Sequence, residues 1–120
     1  MALQIEFTVD ETSVRGVPVL VLCGEADVVT APGIEDRLAD IATRSSTVVV
    51  DMANLSFIDS TALGVLVVAG KRFARADGEV RLAALQPHIR KVFDITGLDT
   101  AFPIHPDVES AVAGADSPTH

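Results

Sequence analysis

The chain is poor in sulfur and aromatic rings. Of its 120 residues one is cysteine, five are phenylalanine, and none is tryptophan or tyrosine. A single cysteine, Cys23, excludes an internal disulfide and a cysteine zinc site, and it is typical of a reducing compartment. We therefore expect a cytoplasmic protein with an aliphatic core. In that core Cys23 would be a small buried residue, and a redox-sensing thiol is the less favoured alternative.

Long apolar runs and excess positive charge are also absent. The longest uncharged apolar run, over residues 62–70, is too short to span a membrane. The first residues alternate and carry no basic segment, which predicts a strand and not a signal peptide. The net charge of -8 argues against nucleic acid or an anionic membrane as the partner. Six of the nine basic residues lie between residues 71 and 91. We attribute them to helix ends and solvated faces in preference to a docking patch.

Strand and helix patterns alternate along the chain and predict one α/β domain. We expect a mixed β-sheet with an N-terminal hairpin and about four helices packed against it, over residues 1–113, followed by a flexible tail over residues 114–120. The predicted strands cover residues 3–9, 17–23, 47–52 and 79–84, with a turn over residues 10–16 and a break at residues 24–27. The predicted helices begin after Thr30, cover residues 60–76, run from Pro87 to a stop at Gly97 with Ile95 facing inward, and cover residues 107–113.

The most informative segment covers residues 48–64. An apolar strand runs into a short loop, and Asp59, Ser60 and Thr61 then open an apolar helix. The first N–H groups of a helix have no intrahelical partners and attract anions. The Ser60 hydroxyl can therefore cap the helix or carry a phosphate, and we expect it to do both at different times.

The helix after Ser60 is apolar around most of its circumference. Such a helix is either deeply buried or used as a contact surface. We favour burial, and a partner-binding face is the functional alternative. Gly64 and Gly70 would leave flat places on the helix that another chain could approach.

No catalytic arrangement accompanies Ser60. The three histidines lie far from it in the sequence, and neither a nucleophile elbow, a phosphate-binding glycine loop nor a metal-spaced His and Cys cluster is present. Glu25, Asp27 and Asp59 could imitate a magnesium site, but acids at strand ends more often form turns and caps. We therefore expect a binding module that is not an enzyme and has neither a metal nor a cofactor.

Residues 51–64 (DMANLSFIDSTALG) resemble the signature of STAS domains, specifically of bacterial anti-sigma factor antagonists. Residues 24–31 and 82–98 resemble other recurrent segments of that family, and the similarity covers about residues 3–113. The resemblance implies a partner switch. The unphosphorylated antagonist binds an anti-sigma factor that is also a serine kinase, and a sigma factor is thereby freed. Phosphorylation of the serine that matches Ser60 dissolves the complex, and a phosphatase restores it.

This scheme assigns roles to the residues around the helix start. Ser60 is the expected phosphoacceptor and Thr61 the less favoured one. A phosphate adds about -1.5 to -2 charges beside Asp59, and burying it in an interface without a basic partner is unfavourable. The expected partner-binding residues are Glu25, Asp27, Asp59, Ser60, Thr61, Ala62, Leu63 and Gly64.

Two other functions stay open at this point. Similar domains act as scaffolds or accessory subunits of transport or stressosome-like complexes without a kinase cycle. The acidic strand ends could also serve a small-ligand or nucleotide sensor. The sequence leaves a weak homodimer open as well.

Overall fold

The computed structural model describes residues 6–116. It contains a five-stranded mixed sheet of order β1-β2-β3-β4-β5, in which β1 and β2 form an antiparallel hairpin and the remaining neighbours are parallel. The α/β fold with four helices is as predicted. The strands are β1 (Thr8–Val14), β2 (Val17–Ala26), β3 (Thr47–Ile58), β4 (Glu79–Ala83) and β5 (Ile104–His105), and the helices are α1 (Ala31–Ala42), α2 (Ser60–Arg75), α3 (Pro87–Thr96) and α4 (Val108–Asp116).

The helices cover both faces of the sheet unequally. Side chains of α1, α2 and α3 pack with β2, β3 and β4 in the larger core, whose biggest members are Phe73 and Phe93. On the opposite face, Ala111 and Val112 of α4 pack with small residues of the three central strands. Successive side chains of a strand point to opposite faces. The consecutive buried residues of β3 at positions 48–50 therefore contribute to both cores.

The N-terminal hairpin lies further along the chain than predicted. β1 pairs with β2 from Thr8 opposite Cys23 to Val14 opposite Val17, so the turn is only Arg15 and Gly16. Both have positive φ, of 50° and 80°, as a two-residue hairpin turn of this hand requires. The predicted turn over residues 10–16 is therefore wrong, because its polar residues are mostly strand. Residues 3–5 of the predicted first strand lie outside the described residues.

β2 and β3 both continue past their predicted ends. Gly24 lies within β2 and does not end the strand, although its φ is +98°. A Cβ at this position would lie 2.8 Å from the Glu6 carbonyl oxygen, so glycine allows the backbone at Glu6 to approach β2 closely. The register between β2 and β3 shifts twice, because β3 contributes one extra residue on each occasion. The positions of β3 that face the larger core consequently change from every second residue, up to Met52, to every third, at Leu55 and Ile58.

The outer part of β3 extends beyond the end of β4 and is met by side chains from the start of α3. Gln86 donates to the Ala53 carbonyl at 2.9 Å, and His88 Nε2 donates to the Ser56 carbonyl at 2.6 Å. These bonds satisfy backbone groups that no neighbouring strand reaches. β3 can therefore continue to Ile58, where it delivers the chain to α2.

The C-terminal part also differs from the prediction. The two-residue strand β5 was not predicted, and α4 runs through Gly114 to Asp116, so the expected tail begins inside a helix. Residues 117–120 lie outside the described residues. Ile95, expected to face inward, is 74% exposed near the end of α3. Cys23, expected to be buried, is half-buried. Between residues 6 and 116, no helix has the length and apolar character needed to cross a membrane.

Candidate functional site

The start of α2 is held by Asp59, the residue before Ser60. The Asp59 carboxylate accepts a hydrogen bond from the Ala62 N–H at 2.9 Å, and its carbonyl accepts from the Leu63 N–H at 3.0 Å. Its own N–H donates to the Ala26 carbonyl at 3.0 Å, which ties the helix start to the end of β2. Asp59 is therefore the N-cap residue. The expectation that the Ser60 hydroxyl caps the helix is wrong.

Ser60, the first residue of α2, is exposed, and the next residue, Thr61, is exposed as well. Because Asp59 already caps the helix, the Ser60 hydroxyl has no structural task, and it makes no hydrogen bond to any residue within 6–116. An enzyme can reach this oxygen without unfolding the helix. Residues 24–30 and 53–64, which form the adjoining ends of β2 and β3 and the segments that follow them, include three acids and neither lysine, arginine nor histidine.

The β2–α1 loop leaves the sheet beside Ser60, because Ala26 and Ile58 are paired in neighbouring parallel strands. Asp27 organises this loop. Its carboxylate accepts from the N–H groups of Val29 and Thr30 at 3.0 and 3.1 Å, while its own N–H donates to Thr30 Oγ1 at 2.8 Å. The Asp27 carboxylate is thus engaged within its own loop, in an Asx turn.

The three predicted acids do lie at one end of the sheet, but they differ in availability. Asp27 and Asp59 form a turn and a cap, as the acids of strand ends commonly do. Glu25, paired with Phe57 across β2 and β3, is exposed, and its carboxylate makes neither a hydrogen bond nor an ion pair within the described part of the chain. Residues 6–116 contain no group of three His, Cys, Asp or Glu side chains that could hold a metal ion.

The predicted partner-binding residues of α2 divide between core and surface. Ala62 and Leu63 are 0% and 9% exposed, so their side chains face the larger core and not a partner. Gly64 is exposed with open space around it, and Val68, one turn later, is 54% exposed. Gly70 packs on the Phe102 ring and offers no flat place to another chain. The outward stripe of α2 is therefore made by Thr61, Gly64 and Val68.

Three exposed apolar residues at this end were missed from the sequence. Val28 and Val29, in the β2–α1 loop, are 63% and 81% exposed, and Phe57, near the end of β3, is 47% exposed. The signal that could have found the valines is an apolar pair inside an otherwise polar turn. Phe57 could not have been found in that way, because the bulges of β3 decide which way it faces.

Replacing Asp59 with alanine should destabilise the domain by about 1 kcal/mol, because the Ala62 N–H loses its acceptor. The free energy of unfolding in urea measures the effect. Ser60→Ala is the matched control and should change that free energy by less than about 0.5 kcal/mol, since its hydroxyl holds nothing in place. Equal losses in the two variants would contradict the assignment of the cap.

Comparisons with known proteins identify the family of this chain. A family model described as STAS domain matches residues 8–111. The chain belongs to the STAS domain family. Among STAS relatives, BtrV of Bordetella bronchiseptica is 31% identical over 110 residues, covering 91% of this chain and 93% of BtrV. The anti-sigma-B factor antagonist of Bacillus subtilis is 32% identical over 91 residues, covering 76% of this chain and 84% of that protein.

Solved structures of other proteins superpose on this chain. An anti-sigma factor antagonist from Mycobacterium paratuberculosis superposes with a TM-score of 0.86 at 26% identity, covering 98% of this chain and all of that one. The Bacillus antagonist SpoIIAA has been solved in an unphosphorylated and a phosphorylated form, which superpose on this STAS domain with TM-scores of 0.79 and 0.70. Their identities are 22% and 23%, and they cover 96% and 91% of this chain and 100% and 98% of their own.

Proposed function

We propose that this STAS protein is an anti-sigma factor antagonist that works by partner switching. In its unphosphorylated form it binds an anti-sigma factor that is also a serine kinase, and the bound sigma factor is released. Phosphorylation of Ser60 ends the binding, and a phosphatase restores it. Such a protein works in the cytoplasm, and it is the kinase's substrate and not itself an enzyme. The observation that carries the proposal is the exposed Ser60 hydroxyl, which no structural hydrogen bond within residues 6–116 occupies.

Two features make a phosphate at Ser60 act on binding and not on folding. The phosphate would lie at the positive end of α2, where an anion is favoured by about 0.3–1 kcal/mol. The side chains that hold α2 in place, such as Leu66 and Phe73, lie on the opposite side of the helix and are about 1% exposed. The fold should therefore tolerate the modification.

A partner docked over Ser60 would not tolerate it. Among their charged residues, the adjoining segments 24–30 and 53–64 supply three acids and no basic side chain, and the nearby His88 is engaged with the Ser56 carbonyl. A docked protein would have to bury a dianion next to Glu25, and burying an unpaired charge in an interface costs several kcal/mol. A loss of about 3 kcal/mol already lowers the affinity more than 100-fold.

The names of similar proteins support the same proposal. The Bacillus subtilis relative is named as an anti-sigma-B factor antagonist, and SpoIIAA exists in phosphorylated and unphosphorylated forms that share this fold. A scaffold subunit of a transport or stressosome-like complex would need neither a kinase nor an accessible hydroxyl at this place.

Phosphorylation in vitro tests the proposal. Each serine-kinase anti-sigma factor encoded in the same genome is purified and incubated with this protein and ATP, and the modified residue is mapped by mass spectrometry. We expect one kinase to phosphorylate Ser60, with no label in Ser60→Ala and full label in Thr61→Ala. Label that persists in Ser60→Ala contradicts the assignment of the phosphoacceptor. If no kinase labels or binds the protein, the antagonist role itself is wrong.

A further inference from the structure

The β2–α1 loop exposes two valine side chains to solvent. Val28 and Val29 are 63% and 81% exposed, the latter being the most exposed of the large apolar side chains within residues 6–116. Single exposed apolar residues are common on protein surfaces. Two exposed valines next to each other in one loop, together with Phe57, 47% exposed near the end of β3, indicate a surface that contacts another molecule.

The loop is also ordered by its own hydrogen bonds. Asp27 accepts from the N–H groups of Val29 and Thr30, and the Asp27 N–H donates to the Thr30 hydroxyl. The backbone carbonyl of Asp27 accepts further bonds from Thr30 and from Ala31, the first residue of α1. The valines therefore project from a fixed backbone, and little conformational entropy would be lost when a partner covers them.

This apolar group lies at the same end of the sheet as Ser60, the proposed phosphorylation site. β2 and β3 end side by side, with Glu25 opposite Phe57 and Ala26 opposite Ile58. Val28 lies two residues after the end of β2, and Ser60 lies two residues after the end of β3. A protein that covers Ser60 therefore also meets the β2–α1 loop and the end of β3.

We infer that Val28, Val29 and Phe57 are the apolar anchor, the side chains that the anti-sigma factor buries on binding. Asp27 is a positioning residue: it fixes the backbone of the anchor and does not itself pair with a basic side chain of the partner. The inference rests on the proposed function and deepens it. The chemistry of the partner follows from the surface: an apolar pocket for the anchor, with basic side chains at its rim that face Glu25. The adjoining segments contribute acids alone, so an acidic partner face would be repelled.

Anchor variants give the first test, with the kinase that labels Ser60 as the binding probe. Val29→Ser and Phe57→Ala should each weaken binding at least about tenfold, as removal of a central apolar anchor does. Ile95→Ser is the matched control, because Ile95 is a large apolar residue on α3 whose exposure of 74% lies between those of Val29 and Phe57, and it should change the affinity less than about twofold. Equal effects at Ile95 and at the anchor overturn the inference.

Asp27 gives the second test, because its two roles predict different results. Asp27→Asn keeps an acceptor oxygen for the Val29 and Thr30 N–H groups but removes the charge, whereas Asp27→Ala removes both. A positioning residue predicts near-normal affinity for Asp27→Asn, within about threefold, and at least about tenfold weaker binding for Asp27→Ala. Hydrogen exchange of the Val29 and Thr30 amides in the free protein should be faster only in Asp27→Ala. If Asp27→Asn binds as weakly as Asp27→Ala while its amides stay protected, the carboxylate contacts the partner and the positioning role is wrong.

The outcomes separate the two proposals. Binding of the unmodified protein that Ser60 phosphorylation abolishes, together with anchor variants that bind normally, refutes the inference and leaves the proposed function standing. Failure of the unmodified protein to bind any such kinase refutes the proposed function and the inference with it. Val29→Ser keeps every hydrogen bond of the loop, so its result does not depend on whether Asp27→Ala folds.

Discussion

Phosphoserine at position 60 should lower the affinity for the anti-sigma factor more than 100-fold and leave the domain folded. The two effects have very different sizes. At the start of α2 the phosphate is favoured by about 0.3–1 kcal/mol, which slightly raises the free energy of unfolding. In the complex the same dianion is desolvated beside acidic segments, which costs several kcal/mol. This desolvation cost arises only in the complex, so binding is lost and the fold is kept.

The measurement needs protein that carries phosphoserine at position 60 alone, made by site-specific incorporation during translation. Calorimetric titration with the anti-sigma factor gives the affinity, and urea unfolding gives the stability. Ser60→Ala should bind like the unmodified protein, and Ser60→Asp, with one charge in place of two, should bind with an intermediate affinity. Normal binding by the phosphoserine protein would show that charge at this residue is not the switch.

Replacing Phe73 with alanine should have the largest effect on stability, a loss of about 3–5 kcal/mol. Phe73 is 1% exposed and is the largest residue that α2 contributes to the core. Its removal leaves a cavity under the end of α2 remote from Ser60. Because domains are commonly stable by about 5–15 kcal/mol in total, this loss is a large fraction of the free energy of unfolding.

Urea unfolding of Phe73→Ala and Ile95→Ala measures this difference. Ile95 is 74% exposed, so its truncation should change the free energy of unfolding by less than about 0.5 kcal/mol. A loss below about 1.5 kcal/mol at Phe73 would mean that the core is looser there than its burial indicates. The Phe73 variant should also lose binding, but only together with its fold, unlike the protein phosphorylated at Ser60.

The sequence predicted the fold class because most elements follow simple periods. The buried face of α1 repeats at Ile34, Leu38 and Ile41, and the central run of β3 is apolar on both faces, as a covered parallel strand must be. The end of an element was predicted correctly where its geometry requires one residue type. Gly97, with φ of 79°, ends α3 as predicted.

Other features could not be predicted because they depend on the neighbouring chain. β3 was expected to end at Met52, since its apolar alternation stops there, but its bulges are set by pairing with β2. Polar residues predicted a turn over residues 10–16, although they form an edge strand with an exposed side. The two residues of β5 have no pattern of their own and become a strand only by pairing with β4.

The sequence predicted which end of the sheet carries the candidate residues but not the task of each. Ser60 and Glu25 are exposed at that end. The sequence favoured turn or cap roles for Asp27 and Asp59, as the structure has them, but it also assigned a cap to Ser60, because both Asp59 and Ser60 are favourable N-cap residues. The sequence also listed Ala62 and Leu63 among the partner-binding residues, although both are buried, since a helix that is apolar on most sides does not tell which side meets the sheet.

The extra residues of β3 bear on how proteins with this site can be found. A bulge adds a residue to one strand without changing which face the later residues occupy relative to the partner strand. β3 could therefore gain or lose a bulged residue between Asp51 and Ile58 while Ile58 stayed inward and the serine after it kept its position. The number of residues from the centre of β3 to Ser60 is therefore not dictated by geometry, and a search that requires a constant interval would miss a chain that differs only in its bulges.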